Sequence, residues 1–471
     1  MRCGSRLEFL YWGVRVALHT GRTIDFTKGN IVWNLIIFSI PIVLGELLQN
    51  LYTAVDSIVV GNFVGDKALA AVSACAAISQ MIIGFFNGMS IGSSVIASRY
   101  FGGNHKERLE SAMRNSFAFA VILGFALSCS AVGAAGWLLR FIAVPEEVYT
   151  DAVIYLRIYL AGVMFTVIYN IGAGLLLSVG DSHSTFKILS LVCSLNIVLD
   201  VLFVRYLRMG VAGVGVATVF SQFTSVILVY RRLKTHSSSF RLTFKELINE
   251  RAMIGDMIAI GMPAGMQNSL ISFSNLFVWR YISSFNSAVM AGFGAAMRVD
   301  RFVALPCKAF GLALTTFVGQ NVGAKQPKRV RQGFMDCLYL SGAYCAALGA
   351  VLYFLAPNSI MIFSRVPAVV ENGVNMMHYL LPFYVFMALR ETSLGILRGY
   401  GDAKVPMYLS LFGMVVLRQI YLAIALSIEH DPIHICIGYP LAWVVTALSV
   451  YIYWLYRRRY HESKLEMSRT K

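Results

Sequence analysis

The sequence predicts an all-α membrane protein of twelve transmembrane helices in two parallel six-helix bundles. Three observations predict it. First, the 471 residues are 57% hydrophobic and only 14% charged, with a mean hydropathy of +0.66; soluble domains carry about 25% charge and roughly 45–50% apolar residues. Second, the apolar residues fall into twelve runs, each near the ~20 residues a helix needs to cross the hydrocarbon layer. Third, two short motifs recur at one fixed offset of 221 residues.

The first run, 32–57, carries Pro41, where a helix kinks. The second, 68–98, and the third, 113–140, flank a polar stretch, 99–114, holding four basic residues. The fourth, 152–178, and fifth, 185–205, meet at Gly180-Asp181. Glycine there permits a left-handed helix end, and the aspartate caps the next helix. The sixth run, 211–231, leads into the longest polar connection, about 232–256, with an amphipathic piece at Phe240–Arg251. The seventh, 257–280, carries Pro263, and the eighth, ninth and tenth are 287–319, 333–356 and 370–397. The eleventh, 404–427, follows a second Gly-Asp turn, Gly401-Asp402, and 434–456 closes the series. No stretch is left to fold as a soluble domain. The organisation is a basic leader (1–30), an N-terminal lobe (31–232), a linker (233–256), a C-terminal lobe (257–456) and a basic tail (457–471). The leader lacks an apolar core followed by a small-residue cleavage site, so it reads as a basic amphipathic or disordered cytoplasmic segment, not a signal peptide.

The charge is lopsided, +16 net, yet the basic residues sit between apolar runs and form no single polar face. A nucleic-acid partner is therefore excluded in favour of membrane orientation. With the N-terminus inside, 28 of the 40 Lys and Arg fall on the inner side and six in the outer loops. This predicts both termini cytoplasmic in a multi-pass protein of the cell inner membrane. The eight cysteines form no CxxC pair, which argues against a disulfide framework or a zinc site.

In the repeat, Ser98–Asn104 matches Gly319–Lys325 and Gly174–Asp181 matches Gly395–Asp402, both at 221, with Pro41 and Pro263 agreeing within one residue. Six spans per half give both halves the same orientation, hence parallel repeats about an axis along the membrane normal. Two facing bundles with a central cavity suit alternating access in a secondary transporter better than a channel. No P-loop is present, so ATP is not the direct energy source.

At these residues the chain resembles the multidrug and toxic compound extrusion (MATE) family, in its DinF-like bacterial branch. The resemblance is carried by Pro41–Asp56, Val60–Gly65, Ala68–Val72, Phe317–Ala324 and Leu397–Asp402, and it spans about residues 28–460. It implies a twelve-helix exporter of the MOP superfamily architecture, driven by a proton or sodium gradient.

Acids inside spans are costly and usually functional. Glu46, Asp56, Asp200, Asp300, Asp336 and Glu391 are the candidates. Helix rise places Asp56, Asn196, Asp200 and Thr218, from three spans, at overlapping depth; Asn196 and Asp200 share a helix face. Two carboxylates in a low-dielectric cavity titrate as a coupled pair and make a proton site. Alternatively, the four side chains supply hard oxygen ligands to Na⁺. The resemblance adds that the matching N-lobe positions are a cation site in related proteins. The bland reading is a buried pair of packing value only. An offset of 221 puts Phe277, Leu417, Tyr421 and Tyr439 at the matching C-half positions, so coupling is expected in the first half alone.

Candidate substrate-cavity residues are Glu46, Gln49, Tyr52, Gln267, Asn268, Arg390 and Glu391. Arg298, Asp300, Arg301, Lys308 and Arg418 also lie within C-half spans. Arg298 with Asp300 and Arg390 with Glu391 are expected to find partners on other helices, because adjacent residues point different ways. The function expected is antiport of H⁺ or Na⁺ against amphipathic, cationic drugs or metabolites by a rocker-switch carrier, acting as a monomer in the lipid bilayer with no cofactor and no enzymatic activity. The alternative is a flippase for lipid-linked precursors or polysaccharides.

Overall fold

A hydrocarbon layer offers no water to backbone groups, so apolar runs must satisfy themselves as helices. The computed structural model describes residues 23–142, 144–236 and 250–469, and among them every regular element is helical. The leader up to residue 22 and the linker residues 237–249 lie outside the described residues.

Helices α1 (Ile31–Phe63), α2 (Asp66–Gly102) and α3 (Lys106–Phe141) take up the first three runs. The fourth is broken: α4 (Glu146–Ala161) and α5 (Val163–Ser178) meet at Gly162 with a bend of 44°. Helix α6 (Ser182–Asp200) continues through a π-helical turn, Val201–Tyr206, and α7 (Gly210–His236) completes the first six spans. In the second half come α8 (Arg251–Ile282), α9 (Ser287–Gly323), α10 (Pro327–Phe354) and the short α11 (Ala356–Met361). The tenth span is α12 (Pro367–Leu380) and α13 (Tyr384–Gly399), joined by a 3₁₀ turn at Leu381–Phe383. The eleventh is α14 (Lys404–Leu411), a π-helical turn (Phe412–Leu417) and α15 (Arg418–Ile428); α16 (Pro432–Arg469) is the last. Among the described residues ten spans are long and apolar enough to cross a membrane, and the bent α4–α5 pair makes an eleventh. Helix α8 stands where the seventh span is expected; at 32 residues it is long enough, but its second half carries Gln267, Asn268, Ser272, Ser274 and Asn275.

The chain forms two compact units. The first comprises Ile40–Gly265 with the residues before Phe26; the second comprises Phe26–Ser39 and Met266–Lys471. One of the three boundaries, before Phe26, precedes α1; the other two fall inside a helix within three residues of its proline, Pro41 in α1 and Pro263 in α8. A proline there removes an i→i−4 bond and weakens the helix locally.

The first unit's core joins α1 to α7 and includes Val60, Leu139, Leu156, Val167, Leu175 and Val214. Small residues let its backbones touch. A Cβ on Gly92 would lie 2.0 Å from the Met257 carbonyl oxygen, and one on Gly88 2.2 Å from the Gly265 nitrogen. This is the small-xxx-small contact typical of membrane helices. The second unit's core gathers Phe293, Met376, Leu380, Tyr384 and Trp443. Ahead of α1, Phe26 is fully buried against Phe38 and Phe317. Its N–H donates to Gln320 at 2.9 Å, and its carbonyl accepts from Asn321 at 3.2 Å and Arg329 at 3.0 Å.

The repeat is visible in the backbone. Asn104 and Lys325 take left-handed φ values of 57° and 54°; Gly180 and Gly401 take 82° and 77°. Each pair is 221 residues apart. The Asp181 amide donates to the Leu176 carbonyl and that of Asp402 to the Leu397 carbonyl, both at 2.9 Å.

The register between the halves is not constant, however. A π-helical turn holds one residue more than an α-turn. The turn at Phe412–Leu417 therefore advances the offset from 221 to 222, and the turn at Val201–Tyr206 restores it to 221. Between the two turns, Asn196 and Asp200 correspond to Arg418 and Leu422, not to the expected Leu417 and Tyr421. Past both turns, Thr218 corresponds to Tyr439 as expected.

Candidate cation-coupling site

The site is assembled from α1, α4 and α6 of the first unit. On α1, Tyr52 and Asp56 are one turn apart; on α6, Asn196 and Asp200 are likewise. Asn196 and Asp200 are 2% and 0% exposed, and Asp56 is half-buried. The carboxyl groups of Asp56 and Asp200 face each other directly. As two acceptors, they make no hydrogen bond unless a proton lies between them, and their oxygens can otherwise coordinate a cation. Accordingly Asp56 Oδ1, both Asp200 oxygens and both amide atoms of Asn196 are buried with no hydrogen-bond partner among the described residues. Buried polar atoms are normally paired, so this cluster of unpaired oxygens fits a bound cation.

Tyr52 lies beside Asp56 and against the Gln49 side chain. Tyr155 of α4 also neighbours Asp56 and stacks on Tyr159, with ring centroids 6.3 Å apart. Sequence reasoning missed these two tyrosines. Their i,i+4 spacing marks a common face, but nothing local says that this face meets α1. The Thr218 hydroxyl is buried and donates to the Val214 carbonyl of its own helix at 3.0 Å; no contact to the carboxylates is seen among the described residues. Glu46 is exposed, neighbours Tyr169 and precedes Asp56 by ~15 Å of helix.

In the second unit, Gln267 is buried and accepts from Arg398 at 3.1 Å, while Asn268 is half-buried. Arg390 pairs with its own neighbour Glu391, contrary to the expectation of partners on other helices. A long guanidinium arm can fold back along the helix to the next side chain. The Asp300 carboxyl does look to another helix, at Tyr384, and Arg298 lies over the Phe363 ring at 5.5 Å.

The two Gly-Asp hairpins carry the same arrangement. Asp181 caps α6 by accepting from the Ser184 amide at 3.0 Å and binds Arg232 at 2.7 Å and His236 at 2.9 Å. Burial works to raise its carboxyl, but the bonds from His236, Ser184 and Arg232 outweigh it and hold the group at about 2. Asp402 accepts from the Tyr453 hydroxyl at 2.7 Å and lies 3.4 Å from Arg457 and 3.7 Å from His461. Burial again opposes; His461, Tyr453 and Arg457 prevail and keep it below the usual carboxylate range. Asp402 caps no helix, unlike Asp181, since α14 starts after Ala403 without a side-chain cap. Arg232 and His236 stand 221 residues before Tyr453 and Arg457, so the repeat preserves a tether from hairpin to last helix.

The MatE family model matches the chain twice, over residues 41–202 and 263–424. The chain belongs to the MatE family. Both ends of the second match are displaced by 222 from the first, in keeping with the prolines and with the register inside the π-turn window. This MatE protein is a multi-pass membrane transporter, not an enzyme. Among its relatives is the Bacillus subtilis protein named "Probable multidrug resistance protein YpnP", 28% identical over 92% of this chain and 97% of that one. Another is the Thermotoga maritima "Probable multidrug resistance protein NorM", 24% identical over 82% of this chain and 83% of its own. The fold matches that of a MOP superfamily transporter from Pyrococcus furiosus with a TM-score of 0.84, at 22% identity over 94% of this chain and 99% of the other.

Proposed function

We propose that this MatE protein is a secondary exporter of amphipathic, cationic drugs or metabolites, in antiport with H⁺ or Na⁺. The observation that carries the reading is the set of unpaired buried oxygens on Asp56, Asn196 and Asp200. A proton or Na⁺ entering between the two carboxyls supplies the positive charge that the pair lacks and draws α1 and α6 together. Its departure leaves two like charges in a low-dielectric site, which repel. The ion thus gives the unit two states with different helix contacts, as coupling requires. Thr218 completes the ligand set as α7 closes, and Tyr52 and Gln49 extend the site toward substrate. Relatives named as multidrug resistance proteins support the export of drug-like cargo. The basic-residue distribution supports an inner-membrane protein with both termini cytoplasmic.

The test is flux of ethidium in proteoliposomes under separately imposed pH and Na⁺ gradients. Uptake or release driven by one of them is expected. Flux that responds to neither gradient, or that Asp56→Asn leaves undiminished, overturns the antiport reading.

A further inference from the structure

Arg418 is 1% exposed, in the interior of the second unit. Its Nη2 donates to Ser274 Oγ at 3.0 Å and Asn275 Oδ1 at 2.9 Å, and its guanidinium lies over the Tyr439 ring at 5.3 Å. All three partners are neutral. Its Nε has no partner, and no carboxylate among the described residues stands within ion-pair distance. The nearby acids are engaged elsewhere. Glu391 faces Arg390, Arg398 and Lys308; Asp300 faces Tyr384, Lys308, Arg390 and Arg301. A second cation, Arg390, acts on Arg418 and reaches Met414 Sδ, one turn before it.

Such a group needs a reason. Guanidinium does not shed its proton inside proteins, and a buried charge without a counter-ion is costly. Joining helices does not require it either. The adjacent Gln419 already ties α15 to α8 by two bonds to Ser274, each 2.9 Å, with a neutral amide. The shifted register adds a position. Arg418 corresponds to Asn196 of the candidate cation site, and Tyr439 to Thr218, whose hydroxyl is turned to Val214. The second unit therefore presents, at the matching place, a cation on an aromatic face instead of a neutral amide and hydroxyl.

We infer that Arg418 is the anion-binding group of a second subsite, which takes a carboxylate or phosphate oxyanion of the transported molecule with the Tyr439 ring beneath. The inference rests on the reading of the protein as a carrier and extends its cargo to compounds bearing an anionic group. The guanidinium has a free Nε–H to donate to such a group, and oxyanions match its fork of donors. Arg390, held by Glu391, adds positive potential without being consumed.

The experiment uses the full chain in lipid nanodiscs and two planar fluorescent probes, anionic fluorescein and cationic ethidium, read by anisotropy. Wild type is expected to bind fluorescein saturably, with benzoate competing and benzylammonium not. Arg418→Met is expected to weaken fluorescein binding at least tenfold while ethidium affinity changes less than twofold, and Arg418→Lys to fall between. Ethidium binding also reports that each variant is folded. Should Arg418→Met not fold, Tyr439→Leu, which removes the ring, is read in the same way. Absence of saturable fluorescein binding in wild type, or unchanged binding in the folded variant, overturns the subsite. Gradient-driven ethidium flux that persists in that case leaves the exporter reading standing. Fluorescein binding without gradient-driven flux of either probe overturns the exporter reading instead.

Discussion

The Arg232 guanidinium sits 2.7 Å from the Asp181 carboxylate and ties the end of α7 to the hairpin between α5 and α6. Asp181 is almost wholly buried and Arg232 about one-third exposed, so screening trims the pair's worth. Asp181→Ala is expected to lower stability by ~1–2 kcal/mol, read as a drop in thermal unfolding temperature. The sign with pH follows from the carboxyl held at about 2 against an ordinary 3.8. The contribution is complete above the ordinary value and is lost as pH falls from there through about 2. Wild type should lose more stability in that window than Asp181→Ala, which still has the Asp402 hairpin to titrate there; equal acid sensitivity of the two would refute the assignment.

The close approach of Gly92 to Met257 gives a second expectation. Gly92→Val drives a side chain into a backbone carbonyl that cannot rotate away, and should cost ~3 kcal/mol or more. Gly133→Val is the control, since nothing lies within 4 Å of its added Cβ, and surface-like changes stay within about 0.5 kcal/mol. Unfolding temperatures of the two purified variants decide the matter; a Gly92 variant as stable as the control would mean that the helices do not touch there.

At the coupling site the effects should be graded. Asp56→Asn and Asp200→Asn are each expected to reduce gradient-driven ethidium flux at least tenfold. Tyr155→Phe keeps the ring and loses only the hydroxyl, so a several-fold loss is expected. Thr218→Val should be mildest at low driving force, because the hydroxyl's hydrogen is already given to Val214. Flux measurements in proteoliposomes rank the four, and a Thr218 effect larger than that of Asp200 would invert the proposed order.

A fourth expectation concerns the other hairpin. Tyr453→Phe removes a 2.7 Å bond to Asp402 but leaves Arg457 and His461. Its cost should be ~1 kcal/mol, less than that of Asp402→Ala, as measured by thermal unfolding.

Much of the fold is legible in the sequence because the membrane enforces a simple code of length and apolarity. Gly180-Asp181 and Gly401-Asp402 mark real hairpins, whereas the break of the tenth span at Leu381–Phe383 is not among the expected features. What stays hidden is what depends on packing between distant segments. No local signal says that Phe412–Leu417 closes as a wide turn, so a constant offset places Leu417 where Arg418 stands. Nor does spacing reveal that Tyr155 turns toward Asp56, or that Arg390 folds back onto Glu391. The acids are readable from their cost in hydrocarbon, and Asp56 and Asp200 from their shared depth; the partners of Asp300 and Glu391 are not.

Phe26, finally, limits how far the protein can be trimmed. Its main chain is gripped by Gln320, Asn321 and Arg329, and Arg329 also holds the carbonyls of Lys28 and Gly29 at 2.9 and 2.8 Å. A shortened version that begins at Ile31 would keep every residue of α1 yet strip the Phe26 N–H donor and all of these carbonyl acceptors from the second unit. A trimmed form therefore has to keep the chain well ahead of the first helix, since Ile24 also donates its N–H to the Gly180 carbonyl at 3.0 Å.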